Sequence, residues 1–105
     1  MAGINSPYRY QYERVAASQT AQVLGGTGAV GDYVHRLIVT VNTSATSTVS
    51  LIDGAGTGLL TYPIMPTNTP IGVYSIQIEA ASQNGSWKLT TGAGVDAMAV
   101  GVFSA

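Results

Sequence analysis

The strongest constraint on this chain is its punctuation. Turn-forming clusters recur at Gly25-Gly26-Thr27-Gly28, Asn42-Thr43-Ser44 and Asp53-Gly54-Ala55-Gly56. They return at Pro66-Thr67-Asn68-Thr69-Pro70, Gln83-Asn84-Gly85 and Gly92-Ala93-Gly94. Short runs rich in Val, Ile, Thr and Tyr lie between them. Such spacing predicts many short strands in a sandwich or barrel.

Alternation supports strands. Tyr74, Ile76, Ile78 and Ala80 share one face of 71–80, with Ser75, Gln77 and Glu79 opposite. Leu60, Tyr62 and Ile64 repeat the pattern, as do Val49 and Leu51, then Trp87 and Leu89. A period of two marks a half-buried strand. Met98, Val100 and Val102 share a face of the last run, and Val100 and Val102 are expected in the core. Residues 33–42 form the longest β-type run and have two mixed faces, which predicts a central strand. No segment carries a convincing helical pattern; 13–24 reads as strand or extended chain.

The expectation is an all-β antiparallel sandwich, jelly-roll-like, of about eight strands with an extended N-terminal arm. The arm spans 1–18 and the body 19–105. The expected core is Leu37, Val39, Val41, Val49, Leu51, Leu60, Ile64, Ile76, Ile78, Trp87, Leu89, Val100 and Val102.

At 105 residues the chain makes one domain, and a domain this small gains from burying more surface by association. Only 9% of residues are charged, against about a quarter in an ordinary domain. A surface of Ser, Thr, Asn and Gln loses its water at low cost, which favours assembly. Net charge is −1 without a basic run, so nucleic acid is not an expected partner. Cysteine is absent, which removes disulfides and thiolate metal sites. The first residues show no signal-peptide pattern, and no run suits a membrane span.

Motifs with chemical meaning lack their context. Gly26-Thr27-Gly28-Ala29-Val30-Gly31 spells a dinucleotide fingerprint, but a strand-like run follows where a helix is needed. His35 is the single histidine and has no nucleophile-elbow partner. Asp32, Asp53 and Asp96 adjoin turn clusters, where a carboxylate commonly bonds nearby amides. Asn84-Gly85 is a strong hairpin signal. Trp87 is expected in the core rather than exposed for stacking on a sugar. No catalytic residue, metal ligand or cofactor is assigned.

The N-terminal stretch differs. Tyr8, Tyr10, Tyr12 and Arg14 alternate with Arg9, Gln11, Glu13 and Val15. Extended, they form an aromatic ridge of favoured interface types, with Arg9 beside it. The competing reading packs these tyrosines on the domain's own core.

In style the chain resembles the small head-decoration, or cement, proteins of tailed bacteriophages. The features are the Tyr-rich N-terminal stretch, the apolar run Leu37-Ile38-Val39-Thr40-Val41 and Gly/Ala/Thr loops such as Thr91-Gly92-Ala93-Gly94-Val95. The terminal strand-like segment Ala99-Val100-Gly101-Val102-Phe103-Ser104-Ala105 completes them. The resemblance covers most of the chain without a diagnostic motif. It implies a non-enzymatic homotrimer on the outer surface of a virion, made in the host cytoplasm. Its partner would be the major capsid protein, with Tyr8, Arg9, Tyr10, Tyr12 and Arg14 at the contact. The alternatives are a trimeric fibre or tail-tip knob binding a host glycan, and a small carbohydrate-acting enzyme.

Overall fold

A computed structural model describes residues 10–54 and 61–104. Eight strands are described: β1 Gln11–Val15, β2 Gln22–Val23, β3 Tyr33–Val41, β4 Val49–Asp53, β5 Thr61–Met65, β6 Gly72–Ala81, β7 Trp87–Thr91 and β8 Val95–Val102. They form two four-stranded sheets in the orders β1-β8-β3-β6 and β2-β7-β4-β5. All described pairings are antiparallel, and they join β1 to β8, β2 to β7, β3 to β6 and β4 to β5. That nesting is one long hairpin rolled into two layers, the jelly-roll order. The expected fold is present.

The layers enclose Val15, Leu24, Val34, Leu37, Val39, Val41, Val49, Leu51, Trp87, Leu89 and Phe103, all buried. Tyr74, Ile76, Ile78 and Ala80 pack against this core from β6, on the side their alternation predicted. Strand β3 is central, between β8 and β6. Leu60 lies outside the described residues.

Strand β8 reverses the expected face. Val95, Ala97, Ala99 and Gly101 point inward, while Met98, Val100 and Val102 point out. The reason is packing across the sheet. Ala97 lies between Val15 and Val39, and Ala99 stands beside Leu37, so small side chains alternate with large ones along each inward row. At Gly101 an added Cβ would strike the Tyr33 carbonyl oxygen.

Gln11–Val15 of the expected 1–18 arm is β1, the edge strand hydrogen-bonded to β8. It pairs because Val15 has a place in the core.

Two carboxylates fasten one end of the sandwich. Asp32 accepts the Ala29 amide at 3.1 Å, the Ser104 amide at 3.0 Å and the Ser104 hydroxyl at 2.7 Å. Its carbonyl accepts the Trp87 indole N–H at 2.8 Å and the Ser82 amide at 2.8 Å. One turn thus ties the start of β3 to the end of β8 and to the indole of β7. Asp53 accepts the amides of Gln83 and Asn84 at 3.1 Å each. These bonds hold the β6–β7 connection, which crosses between the sheets. Asn84-Gly85 is therefore a crossover corner rather than a hairpin. Gly85 permits the close approach, since its Cβ would lie 2.8 Å from the Cα of Gly54.

Candidate attachment face

Outward residues of β1-β8-β3-β6 form one continuous surface. In β1, Tyr12 is 73% exposed; Tyr10, just before the strand, is 39% exposed. Opposite them on β8 stand Val100 and Val102, and Met98 pairs with Ile38 of β3. At the far edge Val73 of β6 is 69% exposed. A shallow hollow of about 280 Å³ lies between Tyr12, Ile38, Thr40 and Met98.

A double irregularity shapes one end of this face. Across β8, Val34 pairs with Gly101 and Arg36 with Val100, so His35 is an extra residue. Across β6, Val34 pairs with Ala80 and Arg36 with Gln77, so β6 carries its own extra residue there. Glu79 lies in that bulge and takes a φ of +51°. The result is an aromatic cluster. Tyr10 stacks on His35 with ring centroids 4.5 Å apart and lies 6.1 Å from Tyr33. The Tyr33 phenol is held above its ordinary pKa of 10.0, first by loss of water around it and then by repulsion from Tyr10 and Glu79. His35 Nδ1 is buried without a hydrogen-bond partner.

Arg14, Arg36, Glu79 and Asp96 also stand on this face. Arg14 and Asp96 pair at 2.8 Å, the one ion pair among the described residues. Arg36 donates to the Ser75 hydroxyl at 3.2 Å.

Of the sequence-predicted contact residues, Tyr10, Tyr12 and Arg14 come together here. Tyr8 and Arg9 lie outside the described residues. Tyr12 does not pack on the core. Sequence reasoning missed Tyr33, His35, Ile38, Met98, Val100 and Val102 as parts of the same surface. The alternation of β8 was legible, but only the inward row of small residues shows which side faces out.

The other candidates resolve into structure. Trp87 is 4% exposed and its N–H is engaged, so it offers no stacking platform. It borders a cavity of about 480 Å³ between β5 and β6, lined also by Leu51, Tyr62, Ile64 and Ile78. Asp53, on that cavity, spends both oxygens on Gln83 and Asn84. Glu13 accepts from the Gln22 side chain at 2.8 Å and the Gly25 amide at 2.7 Å. The fingerprint-like 26–31 segment is the β2–β3 connection and precedes a strand. Among the described residues, no three His, Asp or Glu side chains gather as a metal-ligand set. No helix of the described residues is long and apolar enough to cross a membrane.

No protein-family model, curated protein or solved structure matches the chain.

Proposed function

We propose that this protein is a non-enzymatic attachment domain whose working surface is the outer face of β1-β8-β3-β6. The observation that carries the reading is the exposure of Tyr10, Tyr12, Val73 and Val102 on one face. Contiguous apolar surface of this kind is uncommon on a freestanding domain and suits a protein partner. Tyrosine is a favoured anchor there.

In its specific form the proposal is capsid decoration: a homotrimer bound non-covalently to the major capsid protein of a phage head. The sequence resemblance supports that form, and the jelly-roll order is compatible with it. The fibre-knob alternative gains nothing from the buried Trp87.

Co-sedimentation with expanded phage shells of a candidate major capsid protein tests the reading. Tyr12→Ala is expected to weaken binding about 30-fold, the effect of losing an interface hot spot. Its stability should stay within about 1 kcal/mol of the parent because the side chain lies outside the core. Unchanged shell affinity would overturn the proposal.

A further inference from the structure

We infer that the free edge of β6 pairs antiparallel with β6 of a second copy of this chain, joining two β1-β8-β3-β6 sheets into one of eight strands. The inference concerns a lateral edge, so it goes beyond the attachment reading and does not rest on it.

The first observation is that β6 is an uncovered edge. It pairs with β3 on one side, and among the described residues no strand pairs with the other. The unpaired N–H and C=O groups of an edge are a template for another strand, and edges are commonly blunted by shortness, proline or lysine. The other three edge strands are blunted. Strand β2 has two residues, β5 has five with Pro63 among them, and the Arg14 carbonyl of β1 accepts from the Gln22 side chain at 3.3 Å. Strand β6 has ten residues, no proline or lysine, and one charge, Glu79. The bulge at Glu79 leaves 72–77 in regular pairing with β3.

The second is that this side of the sandwich stays open. Tyr74, Ile76 and Ile78 pack against the core yet remain only half-buried. On the opposite side, Gln22 of β2 donates to Glu13 of β1 at 2.8 Å and ties the two sheets together. A second β6 alongside the first covers the apolar side chains that folding leaves half-wet.

The third is self-complementarity, which makes the occupant a second copy. With Ser75 on the twofold axis, Ser75 faces its own copy, Val73 faces Gln77 and Tyr74 faces Ile76. An aromatic opposite a β-branched residue is a favourable cross-strand pair. The two Glu79 side chains then stand about 27 Å apart along the strands, beyond the screening length. Gly72–Ile78 run about 24 Å. Two layers about 10 Å apart, with half a layer of side chains beyond each, make the open side about 20 Å deep. The pair therefore buries about 1,000 Å² in total, the lower bound for a specific interface. The axis of an antiparallel pair stands normal to the sheet, so both outer faces turn the same way. An isologous contact closes a pair rather than a ring, so in a homotrimer it joins one trimer to the next.

Cysteine is absent, so single introduced thiols report the contact in the full-length chain. Under mild oxidation Ser75→Cys is expected to form a reducible dimer at least about tenfold faster than Val73→Cys or Lys88→Cys, whose copies lie too far apart for a disulfide. An equimolar mixture of Val73→Cys and Gln77→Cys should link one chain of each, while either alone stays unlinked. All three β6 positions are exposed, so the variants keep the fold. Two results contradict the pairing: Ser75→Cys linking no faster than Lys88→Cys, or Val73→Cys linking to itself as fast as to the Gln77→Cys chain. Shell binding by Tyr12→Ala is a separate readout, so either proposal can fail while the other stands.

Discussion

The two sheets have the same number of strands and differ in the large side chains they turn outward. The face of β2-β7-β4-β5 presents Ser50, Ile52, Thr61, Lys88 and Thr90, with Thr90 already accepting the Ala21 amide at 2.9 Å. The face of β1-β8-β3-β6 presents Tyr10, Tyr12, Ile38, Met98, Val100 and Val102, with Arg14, Arg36, Gln77, Glu79 and Asp96 among them. Both sheets supply the same kind of inner face to one core. The outer contrast is therefore not demanded by the fold. A surface that folding leaves free, and that still carries large apolar groups, marks the side on which a partner is expected.

The comparison depends on β8 keeping its small residues inside, and that is where the largest effect is expected. Gly101→Ala should cost about 3 kcal/mol, because its Cβ meets the Tyr33 carbonyl and Phe103. Val100→Ala, on the outward side of the same strand, should cost under about 1 kcal/mol. Urea unfolding of the two variants checks the orientation, and equal losses would break it. Asp32→Ala should cost about 2 kcal/mol, since the Ala29 amide and Ser104 lose a shared acceptor. It frees the end of β8 from the turn before β3, so hydrogen exchange should rise there, while the Trp87 indole keeps its bond to the carbonyl of residue 32. Arg14→Ala should change stability by less than about 1 kcal/mol, and 1 M salt should erase the difference, because the pair is exposed.

A smaller effect concerns pH. Folding raises the Tyr33 pKa, so the folded chain holds that proton more tightly than the unfolded one. The resulting stabilisation is fully present below the unfolded value of 10.0 and is lost as pH rises through the folded value. Denaturation midpoints should fall above about pH 10, and Tyr33→Phe should remove part of that fall.

The fold was legible because turn clusters and a period of two are local signals. Residues 71–80 are the clearest case: alternation named the buried side of β6 correctly. In 95–102 both faces are apolar, and the expectation that put Val100 and Val102 inside took the wrong row. The choice comes from neighbours far apart in sequence, Val15 and Val39 beside Ala97. The same limit hid the attachment face. Tyr10, Tyr12 and Arg14 stood out as a local pattern. Tyr33 and His35 join them only through a bulge in β3, and no spacing rule marks a bulge. Asp32 and Asp53 read as turn residues and act as such, although the turns they bind lie across the sandwich.

The most direct test of the face assignment places equal charge on the two outer surfaces. Tyr12→Asp/Val102→Asp marks the apolar face and Ser50→Asp/Thr61→Asp the polar one, and both are compared with the parent in shell co-sedimentation. The first pair is expected to abolish pelleting and the second to leave it intact. Equal loss from both pairs, or loss only from the second, would contradict the assignment of the β1-β8-β3-β6 face.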